Sequence, residues 1–198
     1  MRQMADFFSI SKTTTILDIG GSYKNWSYLV DGPKLTLLNL GQRPENLPTH
    51  IKYIRGDARQ LPFVDNSFDL VYSNSVIEHV GSKSDQMEMA KEMMRVGKGY
   101  YCQTPNYWFP VEPHFLAPII HWLPINIRGV FARWFSVWGW VTKKSPEEAH
   151  EMASTIYLLN RSEMNEMFPD ARWMNERVLG VIKSLVAARF GYEIKRNK

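Results

Sequence analysis

The sequence predicts an α/β fold, a three-layer sandwich built around a mostly parallel sheet. Two observations carry this. Short apolar runs ending in small or acidic residues follow one another at the pace of alternating strands and helices: Ile16-Leu17-Asp18-Ile19-Gly20-Gly21-Ser22, then Gly56-Asp57-Ala58, then Phe68-Asp69-Leu70-Val71-Tyr72-Ser73. Buried parallel strands read as continuous apolar runs, and the groups at their carboxyl ends meet the ligand. The alternation then closes on two consecutive strand-like runs near the C-terminus, as a terminal hairpin requires.

In chain order, residues 4–10 are read as a short helix over the sheet edge, 14–19 as the first strand and 23–29 as a short helix. The second, third and fourth strands fall at 35–40, 51–55 and 68–73. A helix over 85–95 is capped by Asp85, stops at Gly97 and places Met87, Ala90 and Met94 on one face. The fifth strand is 99–103. After an insertion, Ser162 caps a short helix that Pro169 ends, and 172–179 and 184–190 form the last two strands.

The chain has 198 residues, 44% hydrophobic and 22% charged, which suits one soluble domain with a full core. The single cysteine, Cys102, excludes an intramolecular disulfide framework and falls in a strand, where an inert core thiol is expected. The net charge of +4 is spread among acids, so nucleic acid is not an expected partner. Residues 1–10 contain Asp6 and no apolar core of signal-peptide length, so a cytoplasmic location is expected.

The ordered motifs resemble those of class I S-adenosylmethionine-dependent methyltransferases of the small-molecule or glycan type, similar to methyltransferase type 11. The first motif matches Asp18-Ile19-Gly20-Gly21 and the adenine-side motif matches Gly56-Asp57-Ala58. The fourth-strand motif matches the run from Ser67 to Ser75, followed by Ile77-Glu78-His79-Val80. The resemblance implies a Rossmann-like sheet of seven strands with the last antiparallel, and S-adenosyl-L-methionine as cofactor. It places Asp18, Gly20, Gly21, Ser22, Asn39, Asp57, Ala58, Asn74 and Ser75 about that cofactor. Two positions depart from the family. Asn39 stands where a carboxylate usually accepts from both ribose hydroxyls, and an amide has one acceptor oxygen. The glycine turn is short, with Ser22-Tyr23-Lys24 where a third glycine often sits.

Residues 107–150 are read as a lid and substrate-binding segment inserted in a single domain spanning 1–198. Five of the seven tryptophans lie here: Trp108, Trp122, Trp134, Trp138 and Trp140. Large aromatics with few rotatable bonds suit a lid. Tyr107, Trp108, Glu112 and His114 are the candidate substrate-binding residues, with Trp108 and His114 facing inward. If residue 127 onward is helical, Ile127, Val130, Phe131, Trp134, Trp138 and Val141 form one apolar stripe. Such a face packs on its own domain, pairs in a homodimer, or makes peripheral membrane contact through 115–141; packing of Trp134 and Trp138 on the domain is the favoured expectation. A membrane span is not expected, because prolines interrupt the uncharged stretch and it is too short.

Methyl transfer needs an acceptor lone pair in line with the S–CH3 bond, so positioning in a dry cleft supplies much of the catalysis. A hydroxyl acceptor also needs a base, and His79 and His114 are the candidates. No two histidines fall at zinc-ligand spacing, so no metal is expected. The Gly-x-Gly-x-x-Gly turn of nicotinamide dehydrogenases is absent. The expected function is therefore methyl transfer to a small-molecule or glycan acceptor, most readily at oxygen. The alternatives are a non-catalytic cofactor-binding protein and a membrane- or partner-docking module on the same fold.

Overall fold

The computed structural model describes residues 8–190 except 28, 30 and 31. Ten strands are described: β1 (Thr15–Ile19), β2 (Lys34–Asn39), β3 (Lys52–Arg55), β4 (Phe68–Asn74), β5 (Gly97–Pro105), β6 (Val111–Glu112), β7 (Ala117–Pro118), β8 (Arg172–Trp173), β9 (Glu176–Val178) and β10 (Val181–Arg189). The main sheet runs β3-β2-β1-β4-β5-β10-β8, with β9 also paired to β10. The first five strands are parallel and β10 is antiparallel to β5. Since β1 is flanked by β2 and β4 and covered on both faces, four of its five residues are buried. That double burial produces the uninterrupted apolar run.

One face of the sheet is covered by α1 (Lys83–Val96) and α5 (Arg161–Met167), which follow β4 and precede β8. Met89, Met93, Met164 and Phe168 meet Leu17, Val71 and Tyr100 in a fully buried core, each apolar side chain contributing roughly 1.5–3 kcal/mol. Cys102 lies in this core and burial pushes its pKa up, which keeps the thiol inert. On the opposite face, Ile16, Leu37, Tyr72 and Tyr101 are covered by Phe8, Trp26 and Leu47, which come from loops and turns. Of the helix expected over 23–29, residue 28 lies outside the described residues, and the described part holds a single 3-10 turn, Tyr23–Asn25, after which the indole of Trp26 is drawn inward to the end of β1. Of the helix expected over 4–10, residues 4–7 lie outside the described residues. Its remainder is a turn, with Ser9 at φ 50°.

Both expected caps shift by a residue or more. α1 starts at Lys83, and Ser82 is its cap: the Ser82 hydroxyl accepts from the Asp85 N–H, while the Asp85 carboxylate accepts from the Ser82 N–H. Asp85 therefore closes the box and does not cap the helix itself. The buried face is Met89, Ala90, Met93 and Val96, with Met87 and Met94 on its flanks. In α5 the Asn160 side chain accepts from the Ser162 and Glu163 N–H groups, and Ser162 lies exposed inside the helix. The run expected at 172–179 is split into β8 and β9, both antiparallel to β10, and a register shift between Ile182 and Ser184 falls within the β9 pairing.

The segment after β5 folds back on itself. β6 pairs with β7, and α2 (Ile125–Phe135), α3 (Val137–Thr142) and α4 (Pro146–Ser154) follow. Phe115, Ala117, Ile120, Ala132, Ala149 and Ala153 form its core. α2 and α4 cross almost backbone to backbone: a Cβ on Gly129 would lie 2.4 Å from the Pro146 carbonyl oxygen. The helix expected to run on from residue 127 is broken at Ser136, whose extended backbone ends α2 and whose hydroxyl accepts from the Gly139 N–H. The expected apolar stripe is also corrected. Phe131 and Trp138 pack inward, whereas Ile127, Val130, Trp134 and Val141 are exposed. Close helix crossing admits only small residues, so Gly129 and Ala132 take the inner face. Among the described residues no helix is long and apolar enough to cross a membrane.

Asn160→Ala is expected to cost about 1 kcal/mol of stability through loss of the cap. Ser162→Ala should stay within about 0.5 kcal/mol of the parent. Urea denaturation of both variants checks this, and equal losses would put the cap elsewhere.

Candidate active site

At the carboxyl end of β1 the chain turns through Gly20 and Gly21 over a buried carboxylate. Gly20 sits at φ 71°, and a Cβ there would lie 2.5 Å from a Val76 methyl. A Cβ on Gly21 would lie 1.8 Å from Asp18 Oδ2. Both positions therefore demand glycine, one for conformation and space and the other for space alone. Asp18 is fully buried beneath the turn; its Oδ2 accepts from the Trp26 indole at 2.7 Å, and Oδ1 has no protein partner. Burial pushes the Asp18 pKa up to about 7, with the Trp26 hydrogen bond pulling the other way.

Above this turn opens a cleft of about 1110 Å³. Gly20, Gly21, Ser22, Asn39, Asp57, Ala58 and His79 line it, bringing together most of the cofactor positions implied by the sequence. Asp18 lies under the floor and supports it. Asn74 and Ser75 are exposed at the end of β4 and are not among the lining residues; Ser75 Oγ instead donates to Gln103. Asn39 Nδ2 donates to the Gly21 carbonyl at 3.1 Å, tying β2 to the turn. This explains the amide at a place where the family usually has an acid: a carboxylate would face that carbonyl with no proton to offer. Asp57 is held by the Arg59 guanidinium at 2.6 Å, which lowers its pKa, and Arg59 also reaches Asp85 at 2.6 Å. Arg59 carries no motif signal and was missed by sequence reasoning. The two glycines, the ionised Asp57 and the apolar walls from Leu37, Leu38 and Val76 fit an adenosyl group bearing an amino-acid tail.

Beside the cleft, three candidate residues form a hydrogen-bonded chain. His79 Nε2 lies 3.1 Å from His114 Nε2, and His114 Nδ1 lies 2.5 Å from Glu112 Oε1. Glu112 is buried, and its other oxygen accepts from the Phe115 N–H. Burial opposes charge on His114, but Glu112 outweighs it and holds the His114 pKa above its ordinary value. Burial, followed by the His114 charge, lowers the pKa of His79. Glu78, adjacent in sequence, is buried. Its pKa is raised by burial, one oxygen accepts from Thr104 Oγ1, and the other has no protein partner. Glu78, His79 and His114 bring one donor atom each within 4.8 Å of one another, a set of the type that a divalent ion takes. Sequence spacing concealed this set, because His114 is 35 residues from His79.

Glu112 also lines a second cavity of about 450 Å³, together with Tyr107, Trp108, His121, Arg128, Tyr157 and Glu163. Tyr107, Trp108 and Glu112 thus meet around one space, although Trp108 is 63% exposed and does not point wholly inward as expected. His121 donates from Nε2 to the Tyr107 carbonyl, leaving Nδ1 buried and without a protein partner. Arg128 and Tyr157 are additional lining groups that the sequence reading missed. No short motif marks them, and only the folding back of α2 and of the segment after α4 brings them here.

A family profile described as a methyltransferase domain matches residues 28–99. A demethylmenaquinone methyltransferase of Staphylococcus aureus strain JH9 is 28% identical over 166 residues, covering 81% of this chain and 63% of its own length. The chain therefore spans somewhat under two thirds of the length of the curated relatives it matches. Among solved structures, a Haloferax volcanii complex of a methyltransferase activator with a methyltransferase superposes with a TM-score of 0.60 at 16% identity, covering 96% of this chain and 88% of that one. A Burkholderia thailandensis 1,6-didemethyltoxoflavin-N1-methyltransferase with bound S-adenosylhomocysteine superposes with a TM-score of 0.56 at 12% identity, covering 94% and 74%. The shared architecture is the mostly parallel sheet with antiparallel closing strands.

Because the Asp18 pKa is raised, the native state holds that proton more tightly than the unfolded chain does. Its stabilising contribution is complete below about pH 4 and is lost as pH climbs through about 7. Asp18→Asn keeps an oxygen acceptor for Trp26 and removes the titration. The parent melting temperature should fall from pH 5 to pH 8, and the variant should lose that part of the fall. Identical profiles would show that Asp18 does not titrate in this window.

Proposed function

We propose that this chain, a class I S-adenosylmethionine-dependent methyltransferase domain, transfers the cofactor's methyl group to a hydroxyl of a small-molecule or glycan acceptor. The observation that carries this reading is the His79–His114–Glu112 chain, which links the cofactor cleft to the second cavity. When bound, the cofactor supplies an electrophilic methyl on a positively charged sulfur. Gly20, Gly21, Ser22, Asn39, Asp57 and Ala58 would hold it, and residues 107–150 would roof the acceptor.

The acceptor would occupy the second cavity against Tyr107, Trp108 and Glu112, with its hydroxyl directed toward His114. His114 Nε2 would accept the proton of the acceptor hydroxyl, and the bound cofactor would supply the methyl group. Glu112 holds the ring through Nδ1 and stabilises the imidazolium that results. His79, whose pKa burial and then His114 lower, faces the cofactor side. The demethylmenaquinone methyltransferase relative supports methyl transfer to a small molecule for this chain as well.

Titration with S-adenosylhomocysteine by calorimetry should show one site that Gly20→Ala abolishes, since that Cβ meets Val76 in a left-handed turn. With a hydroxylated acceptor found by screening cofactor turnover, His114→Ala should lower kcat by about 10²–10⁴-fold while sparing cofactor affinity. Glu112→Gln should lower the pH at which the kcat profile rises, because the raised His114 pKa depends on that carboxylate. Full turnover by His114→Ala would rule out the base assignment, and no cofactor binding by the parent would overturn the whole reading.

A further inference from the structure

The α2–α3 pair is built inside out. Its inner face carries Gly129, Ala132, Ser136 and Gly139, all buried. Its outer face carries Trp134, Phe135, Trp140 and Val141, which are 56%, 60%, 61% and 75% exposed. Val130 and Val137 extend the same surface. A helix pair that serves only its own domain buries its large apolar groups, and a contiguous exposed patch of this kind marks an interaction surface. The Trp140 indole N–H already donates to the Trp134 carbonyl at 2.7 Å, so that ring can enter an apolar medium without losing a hydrogen bond.

Charge identifies the occupant. Residues 113–146 contain Arg128, Arg133, Lys143 and Lys144 and no Asp or Glu. The whole chain has 24 cationic and 20 acidic side chains, so this one segment carries a charge equal to the protein's entire net +4. Arg133 lies over the Trp134 ring at 4.5 Å, and Lys143 and Lys144 are exposed just past the end of α3. Apolar rings flanked by cations, on helices too short to span, match the requirements of a bilayer interface with anionic headgroups. A second copy of this face would bring Arg133, Lys143 and Lys144 against the same three cations.

We propose that the α2–α3 face is a docking surface for anionic phospholipid membranes, with Trp134, Phe135, Trp140 and Val141 entering the headgroup–acyl boundary and Arg133, Lys143 and Lys144 contacting the phosphates. The inference is independent of methyl transfer, and its test uses the whole chain without cofactor. Vesicles of phosphatidylglycerol and phosphatidylcholine should sediment the protein at low salt and shift its tryptophan emission to the blue. Pure phosphatidylcholine, or high salt with the mixed vesicles, should weaken binding at least about tenfold, since each cation near the surface accounts for roughly fivefold. The double variant Phe135→Ser, Trp140→Ser should lose binding at least tenfold while keeping the parent's circular dichroism, because both side chains are exposed. No binding to anionic vesicles, or binding indifferent to lipid charge and salt, would overturn the proposal. So would a concentration-dependent dimer in sedimentation velocity, abolished by the same double variant and accompanied by no vesicle binding, which would assign the face to a second copy.

Discussion

The buried carboxylate of Asp18 is the constraint on which the cofactor edge of the sheet depends. It ends the central strand, fills the volume that a Cβ on Gly21 would need, and draws Trp26 inward as its hydrogen-bond donor. Trp26 in turn covers the second face of the sheet, where the described residues contribute loops and a single 3-10 turn. One charge-capable group thus couples the glycine turn to the packing of a whole layer. A buried carboxyl with one unpartnered oxygen is costly unless protonated, which is the physical origin of its raised pKa.

The opposite edge of the site is organised by a second buried acid. Glu112, on the short strand β6, holds His114 from one side and the Phe115 N–H from the other. This fixes the imidazole against His79, on the 3-10 turn that follows β4. Two segments far apart in sequence thereby share one hydrogen-bonded chain, and two cavities open on either side of it. Glu78 adds a further link between these parts, since its carboxylate accepts from Thr104 on β5 and its carbonyl accepts from the Tyr157 N–H after α4. The insertion is therefore anchored to the sheet by polar contacts, while its own core is small and apolar.

The segment after β5 shows how a periodic pattern can be sound and still name the wrong face. Apolar residues recur at helical spacing through Ile127, Val130 and Trp134, and a helix does form there. Its packing surface is nevertheless chosen by close approach to α4, which admits glycine and alanine and turns the large side chains outward. The same logic moved the caps. Ser82 and Asn160 take over from Asp85 and Ser162 because each pairs with an acid three residues on, and the reciprocal bond outweighs the single one.

The sequence by itself marked the first five strands along the chain and the glycine turn, because runs buried on both faces and a left-handed glycine leave local signatures. It also carried the candidate histidines and Glu112, though not their relation to one another. Only the tertiary structure decided that Asp18 lies beneath the cleft, that Asn39 serves the turn, that Arg59 holds Asp57, and that Arg128 and Tyr157 share a cavity with Glu112. These depend on contacts between segments remote in the chain, and neither hydrophobic period nor residue spacing encodes how two elements cross. The exposed aromatic face of α2 and α3 belongs to the same class, since which side of a helix is buried is a property of its neighbour.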